Sequence, residues 1–472
     1  MSAAKRPAAT PGTTTKQTAT TKQTATTKQT TMTKQTATTK QTTMTKQTAT
    51  TKEATGVTAI DLRLTGRPTA DAAVWRDPAE YWTRMTAATA HLDAPVGALH
   101  LGALRHNAAD MVRRAQGTPI RVASKSIRVR GVIEALLRMP GYRGVLAYTL
   151  AEAIRLADTV DDVVVGYPTA ERGSIRRLAT DPELAAKITL MVDSPAQLDL
   201  VDVVLPPGER ETIRVCLELD ASWQAPVLGH LGVRRSPIHE PDDAGAFAAY
   251  LAARPGFALV GVMSYEAQIA GVQTAPPGKP VDGAVNRWMQ SRSMPELLER
   301  RARAIARIRE HAELEFVNGG GTGSLEATSA DPSITEIAAG SGILAGHLFD
   351  GYTQFAPAPA AAFALDVVRR PSAEHATILG GGWIASGPPG PDRLPRIVWP
   401  EGLELLPREM AGEVQSPVTG RAARRLRVGE RVWLRHTKSG ELAEHLNAFA
   451  VVDGDAVVGE LPTYRGEGWA FL

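Results

Sequence analysis

Eight short apolar runs, separated by amphipathic stretches of helical length, constrain this chain more than any other feature. The runs fall at residues 120–123, 145–147, 163–166, 188–192, 213–219, 259–263, 314–317 and 343–344, and helical patterns such as 150–158, 244–253 and 294–311 lie between them. Strands joined by crossovers of this size are parallel, and eight such units predict a closed α/β architecture, a (β/α)8 TIM barrel, rather than an open sheet. Chemistry in that architecture sits at the C-terminal ends of the strands. From about residue 355 helical periodicity gives way to glycine and proline turns (380–382, 387–390) and to alternating runs at 431–435 and 448–452. This texture predicts a second, C-terminal mainly-β domain. The barrel is assigned to residues 95–350, the β-domain to 351–472, and residues 57–94 to a segment packing on the β-domain.

The opening of the chain cannot join either core. From Thr15 a hexamer repeats seven times (TKQTAT, TKQTAT, TKQTTM, TKQTAT, TKQTTM, TKQTAT, TKEATG), placing lysines at 16, 22, 28, 34, 40, 46 and 52. Six residues match neither the helical nor the heptad period, and threonine without large apolar partners cannot offset the entropy of ordering. Residues 1–56 are therefore expected to be a disordered tail. They hold nine Lys or Arg against Glu53, a charge of +8; set against the net +3 of the whole chain, the remainder carries −5. A basic tail of this kind can touch polyanions without sequence preference. A solubilising spacer explains it as well, so no nucleic-acid partner is expected. Deleting residues 1–56 should move the isoelectric point to the acidic side while leaving turnover and melting temperature nearly unchanged. Isoelectric focusing and calorimetry of the truncated protein check this, and loss of cofactor binding on truncation contradicts it.

The start of the chain lacks an apolar leader, and the longest apolar stretch, 355–365, is short and carries Pro357 and Pro359, so no membrane partner and a cytoplasmic location are expected. The lone Cys216 lies in a strand-like run and reads as a core thiol.

Lys125 ends the first apolar run, and a lysine at a barrel strand end is well placed to form an imine with an aldehyde. Arg121, Arg128 and Arg130 lie close in sequence; their charge, together with burial, predicts a neutral, nucleophilic amine. Two glycine-bearing segments follow later runs: Asn318-Gly319-Gly320-Gly321-Thr322-Gly323-Ser324, and Gly340-Ser341-Gly342. Glycine lets backbone N–H groups approach a ligand closely, Thr322 and Ser341 add hydroxyls, and the last two loops of such a barrel are the usual phosphate site.

At these residues the chain resembles the fold type III pyridoxal-phosphate enzymes, which include alanine racemases, D-threonine aldolases and D-serine dehydratases. Arg121-Val122-Ala123-Ser124-Lys125-Ser126-Ile127-Arg128 is similar to the R-P-H-x-K-T-H-K segment of the aldolases and dehydratases, and Gly144 to Ala153 is similar to their T-x-x-E-A block. The resemblance runs from about Ala94 to the C-terminus, and the nearest group is the amino acid deaminase/aldolases. It implies pyridoxal 5'-phosphate as cofactor, with Lys125 as its Schiff-base lysine. Gly320, Gly321, Thr322, Gly323, Gly340, Ser341 and Gly342 would hold the phosphate. Tyr265, in Met263-Ser264-Tyr265-Glu266-Ala267-Gln268, would lie over the cofactor. Arg234 or Arg235 would hold the ring or the substrate carboxylate, with Arg234 taken as the cofactor residue. Lys125, His436 and Tyr265 are the candidate catalytic groups.

Departures from the family pattern bear on a metal. The relatives carry H-x-Cys or H-x-Asp in the β-domain, whereas this chain reads His436-Thr437-Lys438, and their upstream E-H pair is altered at Glu413-Val414-Gln415. Lysine is no divalent ligand, so no metal is assigned unless Glu441, His445 or Asn447 substitutes. The resemblance implies a small amino acid as substrate, D-configured or bearing a β-hydroxyl, and a possible homodimer. The residues leave open whether Cα–Cβ is cleaved, ammonia is lost, or the product is the other enantiomer. A non-catalytic pyridoxal-phosphate carrier shares the barrel but lacks a second domain.

Overall fold

The computed structural model describes residues 59–63, 73–388, 390–438 and 440–472, so the repeat tail lies outside the described residues. In chain order the strands begin with β1 (Val96–His100), β2 (Ile120–Ala123), β3 (Tyr142–Ala147), β4 (Val163–Val165), β5 (Ile188–Val192) and β6 (Ile213–Glu218). A hairpin of β7 (Trp223–Ala225) and β8 (Gly229–Leu231) precedes β9 (Phe257–Ser264), β10 (Phe316–Gly319) and β11 (Glu336–Ala339). Eight of these close into a barrel in the order β10-β11-β2-β3-β4-β5-β6-β9, every neighbouring pair parallel. The architecture read from the alternating runs is the one that forms.

The eighth strand differs from the expectation. Ile343 and Leu344 lie in the short helix Ser341–Leu344, and β11 is supplied by the run before Gly340. Two apolar residues carry no period that separates a strand from a helix. Gly340 joins the two elements, and Ser341 and Gly342 open the helix.

The remaining strands are β12 (Ala361–Ser372), β13 (His375–Leu379), β14 (Arg396–Trp399), β15 (Glu404–Leu405), β16 (Gln415–Thr419), β17 (Arg431–Arg435), β18 (Ala448–Asp453) and β19 (Ala456–Pro462). They form a second sheet in the order β15-β16-β13-β12-β1-β18-β19, with β17 pairing β12 and β14. β1 thus pairs in this sheet, antiparallel to β12 and parallel to β18, although it opens the span read as barrel. The helix Pro78–Ala88 packs on the same sheet. Asp77 caps it by accepting from the amides of Ala79 and Glu80 at 3.0 and 3.1 Å, and proline at its first position costs no hydrogen bond. Its buried face, Tyr81, Trp82, Met85 and Ala88, meets Trp433, Ala362 and Ala364, and the Trp433 indole N–H donates to Thr86 Oγ1 at 2.9 Å. Each large side chain buried there contributes about 1.5–3 kcal/mol.

Inside the barrel, Val164, Met191, Cys216, Val260, Met263 and Phe316 pack together, and Cys216 is a free, buried thiol whose ionisation burial suppresses. Beside them Arg121 is almost completely buried. Its guanidinium reaches Glu336 at 2.6 Å and Asp162 at 2.7 Å, the pairing that a buried charge requires. Among the described residues no helix is long and apolar enough to cross a membrane.

Candidate active site

Six strand ends converge on one mouth. β2 runs into the short turn Ser124–Ser126, which carries Lys125 at an exposed position, and the Lys125 amine lies 2.8 Å from the Tyr167 hydroxyl, two residues beyond β4. The three arginines expected to act on Lys125 are each matched with carboxylates: Arg121 as above, Arg128 with Glu444 at 2.6 Å, and Arg130 with Glu467 at 2.8 Å. Their charge is thus neutralised locally, and Lys125 is open rather than buried. Sequence reasoning missed Tyr167. Its one signal is an aromatic residue just past the apolar run 163–166. Burial raises its phenol, but the charge and hydrogen bond of Lys125, with Arg235, outweigh burial and hold it below its ordinary value.

β10 and β11 deliver the glycine loops, and a buried network fixes them. Gly320, at φ +77°, adopts a conformation that favours glycine, and its N–H donates to the Glu266 carboxylate at 2.9 Å. Glu266 also accepts from Thr328 and, at 3.4 Å, from Ser324, and pairs with the buried Arg301, which in turn reaches Asp331 at 2.8 Å. The two loops are tied through Thr322, whose Oγ1 accepts from the Gly342 amide at 3.0 Å and from the Ser341 hydroxyl at 3.1 Å. From below, Arg114 donates to the Thr322 carbonyl at 2.8 Å. An added Cβ at Gly340 would meet the Ala123 carbonyl oxygen at 2.5 Å, so the second loop lies directly against the end of β2, two residues before Lys125.

Tyr265 follows β9 and faces the first loop: a Cβ on Gly321 would stand 3.4 Å from its ring. Burial pushes its phenol up to about 12 against the pull of Arg235, so it stays protonated at neutral pH. The arginine of the site is Arg235, not Arg234. Both arginines are solvent-exposed, but Arg235 lies over the rings of both Tyr167 and Tyr265, 5.4 and 5.3 Å from their centroids, and 4.0 Å from Glu218. Successive residues on an extended segment point to opposite sides, so one position decides which guanidinium enters.

The β-domain closes over the lysine segment. Gly440, at φ +74°, packs its backbone on the Lys125 carbonyl oxygen with no room for a Cβ. His436, Lys438 and Glu441 from this region line a cavity of about 10 Å³, together with Trp383 and Phe363. His436 is buried, and burial first, then Arg435 and His347, push its imidazole down to about 3 against the opposing pull of the Ala361 backbone. It is therefore a neutral side chain. Burial lowers the Lys438 ammonium, opposed by Glu441 and reinforced by Lys125 and Arg393. Glu441 accepts from the Ser386 amide at 2.8 Å. Among the described residues no group of three or more His, Cys, Asp or Glu side chains is arranged to hold a metal.

This geometry coincides with a family match. The alanine racemase N-terminal domain model matches residues 99–344, more than half of the chain. The chain belongs to that family. Its members are fold type III enzymes, whose cofactor is pyridoxal 5'-phosphate. Among solved structures, the chain is similar to D-threonine aldolase from Filomicrobium marinum at 21% identity and a TM-score of 0.65, covering 80% of this chain and 96% of that one. It is also similar to D-threo-3-hydroxyaspartate dehydratase from a Delftia species, at 20% identity and a TM-score of 0.60, covering 79% and 97%. An alanine racemase-like protein from Idiomarina loihiensis gives 15% identity and a TM-score of 0.59, covering 79% and 97%. No curated protein matches the chain by sequence. At these identities the likeness to solved structures concerns the fold.

The residues present fit the family's cofactor. A primary amine at the mouth suits an aldehyde, while two glycine loops with the hydroxyls of Thr322 and Ser341 suit a phosphate. Tyr265 stands beside the first of those loops.

Proposed function

We propose that this protein is a pyridoxal-phosphate-dependent lyase, an amino acid deaminase/aldolase acting on a small D-configured or β-hydroxy amino acid through Lys125. The observation that carries this reading is the Lys125–Tyr167 pair at the barrel mouth, with the tied glycine loops on the same rim. When bound, the cofactor supplies the electron sink for a bond broken at Cα.

The chain's own residues then have separable tasks. Gly320, Gly321, Thr322, Gly323, Gly340, Ser341 and Gly342 hold the phosphate. Lys125 would carry the cofactor, and its amine, in hydrogen-bond contact with Tyr167, would move a proton on one face. Tyr265, kept neutral by burial, donates a hydrogen bond from the other side. Arg235 offers its cation to the substrate carboxylate, where its planar fork gives bidentate recognition. A racemase is the second reading, favoured by the presence of two protonatable groups, Lys125 and Tyr265, around one mouth. A homodimer belongs to this proposal: Val281, Val285 and Trp288 expose an apolar strip at helical spacing, next to Val227 and Leu228 on the hairpin that Trp223 ties to Trp288.

Incubating the loaded enzyme with D- and L-serine and threonine and analysing products tests the reading. A keto acid with ammonia, or an aldehyde with glycine, supports it; the opposite enantiomer alone selects the racemase.

Metal dependence separates this chain from metal-assisted lyases. Lys438 stands two residues from His436, and its cation repels a divalent ion there. Turnover should survive exhaustive chelation, and His436→Ala, which removes a buried neutral ring rather than a proton carrier, should lower stability while the visible band is retained. If chelation abolishes turnover and manganese or zinc restores it, the ligands lie among His436, Glu441, His445 and Asn447.

A further inference from the structure

Glu218 ends β6 with a side chain that the functional reading leaves without a task. It is 6% exposed, and it shares a strand face with Cys216, two residues earlier, which packs in the barrel interior. The carboxylate therefore sits inside the mouth. A buried carboxylate without a cation is strongly unfavourable, and the cation it faces is Arg235, 4.0 Å away. Arg235 belongs to the segment after the β7–β8 hairpin, and a long side chain there loses rotamer freedom when it is held. Three contacts hold it: the rings of Tyr167 and Tyr265, and Glu218.

We propose that Glu218 is a positioning residue whose ionised carboxylate holds the Arg235 guanidinium across Tyr167 and Tyr265 and so aims it at the carboxylate of an amino acid substrate. The last part rests on the functional reading above; the holding of Arg235 does not. The groups facing Glu218 are Asp193 beyond β5, Asp220 two residues on, Tyr167 beyond β4, Cys216 on its own strand, and Arg235. Burial first, then Asp193 and Asp220, push its carboxyl up to about 7 against the pull of Arg235. The sign follows. Below that value Glu218 is neutral and Arg235 loses its anchor; above it the pair forms. Amino acid affinity should therefore tighten as the pH rises through neutrality.

Two measurements test this. In a crystal structure of Glu218→Gln, which keeps the shape but not the charge, Arg235 should leave the two rings. In the second, glycine is titrated into the pyridoxal-phosphate-loaded protein and followed by the visible band. Glu218→Gln should bind at least about tenfold more weakly at pH 8, as expected when a charge partner is removed. It should also lose the tightening that the wild type shows between about pH 6 and about pH 8. Glu218→Asp should restore part of both. The proposal is overturned if Arg235 keeps its place in Glu218→Gln, or if that variant binds glycine with wild-type affinity and pH dependence. A wild type that takes up no cofactor, with Arg235 nevertheless displaced in Glu218→Gln, refutes the functional reading and upholds the positioning role.

Discussion

Lys125→Ala is expected to abolish covalent fixation of the cofactor by borohydride and to reduce turnover by about three orders of magnitude or more, the range seen when a covalent-catalysis residue is removed. Wild-type protein should be yellow and carry the label on the peptide containing Lys125. The fold should survive the substitution, because the side chain is exposed and its hydrogen-bond partner, Tyr167, is itself reachable by water. Peptide mapping after borohydride reduction, with circular dichroism as a control, decides the matter. A wild type that stays colourless and cannot be reconstituted with pyridoxal phosphate defeats the functional reading. Label on Lys438, the neighbouring amine, would instead move the attachment point to the β-domain.

Glu266→Ala is expected to be the most damaging substitution for stability. Its carboxylate serves the Gly320 amide, the hydroxyls of Thr328 and Ser324, and the guanidinium of Arg301, all within the core. Truncation leaves Arg301 with Asp331 as its carboxylate partner and strands the Gly320 amide. Breaking a buried pair of this kind costs about 3–5 kcal/mol, a large share of a domain's net stability. Because the same carboxylate sets the conformation of the loop proposed to hold phosphate, cofactor affinity should fall with it. Glu266→Gln, which keeps the shape and can still accept from Gly320, should lose less on both counts. Denaturant titration and equilibrium cofactor binding measure the two effects. Unchanged stability in Glu266→Ala would show that the network is dispensable.

The two predictions draw on different kinds of information. Lys125 was legible in the sequence because a strand end is a local property: an apolar run stops, a polar residue follows, and in a parallel barrel every such residue faces the same rim. The glycine loops were legible for the same reason. Seven of the eight barrel strands stand where the runs place them, since buried parallel strands read as continuous apolar segments. The eighth did not, because Ile343 and Leu344 are too short a run to carry a period. Glu266, by contrast, reads in sequence as an ordinary acidic residue after a strand. Only the fold brings Arg301, from the long helix before β10, and Thr328, from the short helix Leu325–Ser329 after it, onto one carboxylate.

The same division holds across the mouth. Tyr167, Glu218 and Arg235 come from the loop after β4, from β6 and from the segment after the β7–β8 hairpin, and their meeting depends on barrel closure, which no local pattern encodes. The exchange of Arg234 for Arg235 is a matter of which side of an extended segment faces inward, a one-residue choice set by packing against Tyr167 and Tyr265. His436 was read as a proton carrier from its residue type; tertiary packing buries its ring among Phe363, Trp383 and Leu442 and keeps it neutral. By itself the sequence determined the architecture, the amine at the end of β2 and the glycine loops after β10 and β11, because strand period, strand ends and glycine are properties of neighbouring residues. The tertiary structure alone decided which charges meet and which groups are buried, because burial and pairing arise only between segments far apart in the chain.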